Sequence, residues 1–171
     1  EVKLALHVKR DRLVLDYAGS APQQPSGINS PWCYTYSYSV FALKSVLTPE
    51  IPNNEGTFRP LSVLAPEGSL LNPRFPAATG ARSTTGHFLV TAVYGALAEI
   101  APQRVIAECG APRPIVVLRG VRDDGRPFSQ TLFCMGSMGA RPNEDGISCV
   151  AFPTNTAVTP AEVVEAASPV R

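Results

Sequence analysis

The sequence predicts a mixed α/β fold of the α+β kind, with β-hairpins, two to three helices and extensive Pro- and Gly-rich loops. Three observations carry that expectation: period-two alternation over residues 1–17, helical apolar spacing in two central segments, and 17 prolines with 13 glycines spread between them. Proline at about twice its usual ~5% excludes long uninterrupted helices.

Val2, Leu4, Leu6 and Val8 alternate with Lys3, Ala5, His7 and Lys9. After an Arg10-Asp11 turn the pattern resumes at Leu13, Leu15 and Tyr17, which predicts a hairpin buried on one face. Residues 18–30 are rich in Gly, Ser, Pro and Gln and read as an irregular loop ending at Pro31. From Trp32, the residues Tyr34, Tyr38, Phe41, Ala42, Ser45 and Val46 fall at helical spacing, in a helix that stops before Pro49. Its aromatic stripe is expected in the core rather than around a cofactor.

The segments 53–60 and 66–73 crowd Asn, Gly, Pro, Glu67 and Arg59 around a short apolar strand, Leu61 to Leu64. Asparagine and glycine tolerate positive φ and proline fixes φ, so the backbone there is held in a particular path. Ser83-Thr84-Thr85 offers an N-cap for a helix bearing Phe88, Leu89, Val93, Ala96, Leu97 and Ile100, closed by Pro102. Ile115 to Val121 and Phe128 to Met135 flank an Asp124-Gly125 turn, a strong hairpin signal. Gly136-Ser137-Met138-Gly139-Ala140 is too poor in side chains to pack, and belongs where two backbones cross or where amides line a cavity. Thr159-Pro160-Ala161-Glu162 opens a last short helix with threonine as N-cap. With no internal repeat and no linker, residues 1–171 read as a single domain. The chain starts inside a strand pattern, and the expectation is an internal segment of something longer.

A net charge of +1, from 15 basic and 14 acidic residues spread along the chain, gives no footprint for a nucleic-acid backbone. No apolar run approaches the roughly 18 residues of a membrane span, and no leader pattern precedes the first strand, so a cytoplasmic location is expected. Cys33, Cys109, Cys134 and Cys149 lack Cys-x-x-Cys spacing and are expected as free buried thiols.

Neither a phosphate-binding loop, a dinucleotide fingerprint, a His-Glu-x-x-His pair nor a Gly-x-Ser-x-Gly elbow occurs. Of the two histidines, His7 belongs on the polar face of the hairpin. His87 belongs in the first helical turn beside Ser83, Thr84 and Thr85, whose hydroxyls capping explains better than nucleophilic use. Arg59 and Glu67 either pair with each other or point into a pocket to orient a polar substrate. Asn155 reads as a turn residue. Bottom-up, the catalytic residues remain unassigned, and no metal or cofactor site is predicted within the chain.

Several blocks, in order, resemble the hydantoinase B and 5-oxoprolinase family. They are residues 16–23 (Asp16-Tyr17-Ala18-Gly19-Ser20-Ala21-Pro22-Gln23), Gly27-Ile28-Asn29-Ser30-Pro31, Ile51-Pro52-Asn53-Asn54-Glu55-Gly56, Phe58-Arg59-Pro60, and Pro66-Glu67-Gly68-Ser69 with Leu71-Asn72-Pro73. Gly95-Ala96-Leu97, the Gly136 to Ala140 run, Asp145-Gly146, Thr154-Asn155-Thr156 and Thr159-Pro160-Ala161-Glu162 extend the likeness along almost the whole chain. The resemblance implies an internal piece of a B component that acts with a hydantoinase A-type subunit on a small cyclic amide such as 5-oxoproline or a hydantoin, with ATP hydrolysed. Relatives carboxylate ketones such as acetone.

It also implies that ATP and a divalent metal belong to the complete enzyme and not to this segment, which should be inactive alone. The family's metal motif lies upstream, and nucleotide binding is attributed to the A component. Phe152-Pro153 stand where the family often has histidine, and Ser137 and Met138 thin the glycine run, which weakens a pocket role there. Asn54, Arg59 and Glu67 are the substrate-pocket candidates. The alternative is an assembly scaffold that packs its Pro- and Gly-rich loops against the A-type subunit.

Overall fold

A computed structural model of the chain describes residues 1–109, 115–133, 137–148, 150 and 160–167. Strands β1 (Ala5–Val8) and β2 (Leu13–Asp16) form the expected antiparallel hairpin, with Leu6 opposite Leu15 and His7 opposite Val14. His7 is exposed, as its place on the polar face requires, but Val8 is exposed too, beside the hairpin's turn. The strand at Leu61–Leu64 (β3) joins β2 in parallel, giving the order β1-β2-β3. β2 is therefore central, and Val14 and Leu15 are both buried.

Helix α1 (Trp32–Leu47) and a second long helix (Arg82–Ala98, numbered α3 below) pack against each other, α1 reaching β3 and α3 reaching β1. Between α1 and β3 lies a one-turn helix, α2 (Glu55–Phe58), too short to leave a periodic signature in the sequence. Leu15, Tyr17, Leu43, Val46, Leu71, Leu89, Val93 and Leu97 form the centre of the core.

The buried face of α1 differs from the expected one. Thr35, Ser39, Ala42, Leu43 and Val46 are buried, whereas Tyr34 and Tyr38 are only half-buried and Trp32 and Phe41 are each 40% exposed. Small residues of α1 fill the centre, and the aromatic stripe lies at the margin of the core, where Tyr36 and Tyr38 pack against it. There Tyr34 stacks on Tyr38 at 4.5 Å, and the Arg82 guanidinium lies 5.5 Å from the Tyr34 ring. Gly86 of α3 leaves the space that the Tyr34 ring occupies.

The polar groups on that buried face are satisfied. The Thr35 hydroxyl lies 2.7 Å from the Leu71 carbonyl and 2.9 Å from the Ser30 hydroxyl. Ser39 donates to the Thr35 carbonyl at 2.7 Å, which leaves the Tyr17 phenol to donate to Ser39 at 2.7 Å. Burial pushes the Tyr17 phenol up to about 12, with its Ser39 hydrogen bond opposing the shift. Ser45 and Tyr94 meet at 2.8 Å across the two helices.

Helix α3 begins at Arg82 rather than behind a hydroxyl cap. Ala81 occupies the N-cap with no side-chain hydrogen bond, and Thr85 instead donates to the Ile28 carbonyl at 2.5 Å. A tertiary acceptor has recruited the hydroxyl that local sequence assigns to capping. His87 consequently sits in the second turn and is buried, while Ile100 lies beyond the helix and is exposed.

Strands β4 (Ile115–Val121) and β5 (Pro127–Phe133) form the second expected hairpin. Gly125 at φ +82 donates to the Arg122 carbonyl, and Asp124 holds Arg126 through its carboxylate at 2.6 Å. Within the glycine run Gly139 allows a backbone crossing, since a Cβ there would collide with the Ala107 carbonyl and Ala107 donates to the Ala140 carbonyl at 2.9 Å; Gly136 lies outside the described residues. At the start of the last helix, α4 (Ala161–Ala167), the Val163 and Val164 N–H groups donate to the Pro160 carbonyl. Its expected cap Thr159 and the turn residue Asn155 lie outside the described residues, as do Cys134 and Cys149. Cys109 is a free buried thiol; Cys33 is free but exposed on the first turn of α1, contrary to expectation.

Candidate functional site

Two clefts open beside the C-terminal half of α1, and Lys44 lines both. The larger, about 570 Å³, has a floor of Leu13, Leu43, Leu47 and Leu61 and a rim of Lys9, Asp11, Arg12 and Asn54. The smaller, about 460 Å³, lies among Tyr36, Phe41, Pro49, Asn53 and Phe58. The loop 53–60, conspicuous in the sequence, is thus a wall shared by two cavities.

Local chemistry shapes that wall. Asn54 is the N-cap of α2: its side-chain carbonyl accepts from the Thr57 N–H at 3.0 Å, and its amide nitrogen donates to the Pro52 carbonyl at 3.0 Å. Thr57 ties the same carbonyl through its hydroxyl at 3.1 Å. Arg59 caps the other end, its backbone N–H donating to the Glu55 carbonyl at 3.0 Å. The Arg59 guanidinium is exposed and makes no ion pair among the described residues. Lys44 donates to the Thr48 carbonyl at 3.2 Å and to the Ile51 carbonyl, so its ammonium closes the end of α1. On the rim, Arg12 grips Asp11 at 3.1 Å and holds its carboxyl below the usual carboxylate range.

Glu67 lies elsewhere. Arg59 and Glu67 flank opposite ends of β3, and Glu67 pairs with Arg74 at 3.5 Å on the surface, not with Arg59. Asn54 and Arg59 therefore share one region and Glu67 does not join them. The Glu67 loop is held by Gly68 at φ +81, which donates to the Asn72 carbonyl at 2.8 Å.

Asn29 is a key residue to which sequence patterns assign no role. Fully buried, it accepts from the Gln24 N–H at 2.8 Å and directs its amide at the carbonyls of Gln24, Ser26 and Ala78, at 2.8, 3.0 and 2.9 Å. With Ser30 bonded to Leu70 and Ile28 to Thr85, the segment 27–31 pins three loops to the core. Its only sequence signal is membership of the Gly27 to Pro31 block.

The larger cleft combines an apolar floor with a mainly cationic rim, a lining that suits a ligand or a protein segment with an apolar body and an anionic group. Among the described residues no group of three or more His, Cys, Asp or Glu side chains is placed to bind a metal, so the donor set there does not fit a divalent cation. No helix among them is long and apolar enough to cross a membrane.

The mixed sheet-and-helix architecture, the ordered loops and the match along the whole chain define the class: the chain belongs to the Hydantoinase B/oxoprolinase family, whose model matches residues 1–171. The putative B subunit of a D-/L-hydantoinase from Pseudomonas sp. (strain NS671) is 30% identical over 178 residues, covering 99% of this chain and 30% of that protein. The ATP-dependent caprolactamase from Pseudomonas jessenii has a similar structure, with a TM-score of 0.73 and 27% identity over 86% of this chain and 26% of that one. Nucleotide-free acetone carboxylase matches in fold, with a TM-score of 0.76 over 98% of this chain and 24% of that one, at 19% identity. The chain thus spans less than a third of the length of each of these proteins.

Proposed function

We propose that residues 1–171 are part of the B component of an ATP-dependent cyclic-amide hydrolase of the hydantoinase or oxoprolinase type, working with an A-type subunit in the cytoplasm. The observation that carries the reading is the family match along the whole chain, supported by the likeness to a caprolactamase, an enzyme named for a cyclic amide. ATP and a divalent metal act in the complete enzyme, held outside this segment. Within it, the Asn54-capped loop is the wall of a cleft, and Arg59 is an exposed cation able to orient a polar substrate or a neighbouring carboxylate. Glu67, paired with Arg74 on the surface, stands apart from that wall.

The test is ATP turnover by the intact B-type subunit with its A-type partner, against 5-oxoproline, hydantoins, lactams, and acetone with bicarbonate. Turnover stimulated by a cyclic amide is the expected result. Stimulation by acetone and bicarbonate alone would replace hydrolysis with ketone carboxylation, the reaction for which acetone carboxylase is named. Stable co-purification with the A-type subunit and no turnover with any compound would leave the scaffold reading standing.

A further inference from the structure

The β4–β5 ribbon is clad in aliphatic side chains that stand open to solvent. Val116 and Leu118 are 39% and 47% exposed on one face, and Val117 and Val121 are 46% and 69% exposed on the other, beside the exposed Arg119. The register places Val116, Leu118, Gly120, Phe128, Gln130 and Leu132 on one face. Phe128 lies over Gly120, where a Cβ would strike its ring, and the Arg122 guanidinium sits 5.9 Å from the ring centroid. The aromatic is thus sheltered within the ribbon, while Val116 and Leu118 on the same face remain open. Both outer edges are also unpaired among the described residues, because the sheet has two strands and β4 and β5 pair only with each other.

We propose that this ribbon is an internal docking element, covered in the native protein by a part of the same B-type subunit outside residues 1–171. The proposal rests on the reading of the chain as part of such a subunit. Length supports it: the matched segment spans 30% of the hydantoinase relative and 26% of the caprolactamase chain. The chemistry of the Val116 and Leu118 face agrees, since its open side chains are uncharged branched aliphatics and the exposed Arg119 belongs to the opposite face, so it resembles a domain core cut open more than the charged rim of a transient contact. Folding physics supplies the third reason. A lone two-stranded ribbon is marginal in water and its open edges invite wrong partners, so the cover must be present as the chain folds. A covalently linked segment meets that need at an effective concentration in the millimolar range, which a separate subunit does not.

The test places a photo-crosslinker at Leu118→p-benzoylphenylalanine in the full-length gene product, purified without and with the A-type subunit, with crosslinked peptides located by mass spectrometry. Crosslinks to peptides of the same polypeptide outside residues 1–171, present without the A-type subunit, are expected. Crosslinks only to the A-type subunit, to a second copy or within residues 1–171, or no crosslink, would overturn the proposal. Hydrogen exchange of the unmodified full-length protein guards against a misfolded variant: β4 amides should be protected at least a hundredfold, and free exchange counts against the proposal. An intact native mass near 18.2 kDa would remove the longer subunit and the proposal with it. A much larger mass with a solvent-exposed ribbon would sink the ribbon proposal alone.

Discussion

Strands β2 and β4 are built from nearly the same residues and end in opposite surroundings. Leu13-Val14-Leu15 lies between β1 and β3, Leu15 shares the core with residues of α1 and α3, and Val14 and Leu15 retain 8% and 0% of their exposure. Strand β4 pairs with one neighbour, and its Val116, Val117 and Leu118 keep their aliphatic carbons in solvent. Branched aliphatics fit a pleated surface wherever it lies, so they specify a strand without specifying what covers it. Cover comes from elements distant in sequence: α1 and α3 for β2, and, on the proposal above, another part of the polypeptide for β4.

The largest effect should come from truncating the two strands in turn. Leu15→Ala opens a cavity in the core and should cost about 2–5 kcal/mol by urea denaturation. Leu118→Ala in residues 1–171 alone removes a side chain already half in water and should cost under about 1 kcal/mol. If Leu118→Ala in the full-length protein costs as much as Leu15→Ala, the contrast belongs to the segment and not to the native protein.

Asn29→Ala tests the polar half of the same comparison. It strands the Gln24 N–H and the carbonyls of Gln24, Ser26 and Ala78 around a buried side chain. A loss of roughly 2–3 kcal/mol is expected, with increased hydrogen exchange in residues 22–31 and 76–85. A change below about 0.5 kcal/mol would mean that the loops hold themselves.

Tyr17 gives a pH-dependent version. Its folded pKa is raised to about 12 from the ordinary value of 10.0, so the unfolded chain releases the phenolic proton first as pH rises. The stability contributed by the neutral, buried phenol is complete below pH 10 and is lost between pH 10 and about 12. The slope there should approach roughly 1.4 kcal/mol per pH unit. Tyr17→Phe should remove that component, visible in urea midpoints measured at successive pH values.

What could be read from the sequence was local. The hairpins, the Leu61–Leu64 strand and the end of α1 before Pro49 depend on neighbours in the chain, and alternation or a turn residue announces them. The parallel pairing of β3 with β2 joins residues nearly fifty apart, and no local pattern encodes it. Thr35 and Ser39 look like surface residues of α1, yet their acceptors are its own carbonyls and those of distant loops, so they are buried while Tyr36 and Tyr38 pack at the margin of the core. The site divides in the same way. The density of Asn, Gly and Pro revealed an ordered loop at 53–60, but only three dimensions show that it walls two clefts and that Glu67 stands away from Arg59.

The smallest stability effects belong to that loop, and they separate scaffold from site. Asn54→Ala removes the N-cap of α2 and should cost about 1 kcal/mol, confined to residues 52–59 in hydrogen exchange. Arg59→Ala removes an exposed guanidinium without an ion pair among the described residues and should change stability by less than about 0.5 kcal/mol. In the intact enzyme the order should reverse. If Arg59 orients the substrate, its removal should lower kcat/KM at least tenfold, about 1.4 kcal/mol of transition-state stabilisation, with the melting temperature unchanged. Asn54→Ala should follow only as far as the loop moves. Arg59 lines neither cleft although its neighbours Phe58 and Pro60 do, so a lowered melting temperature with normal turnover in Arg59→Ala would return it to a structural role and end the substrate-orienting proposal.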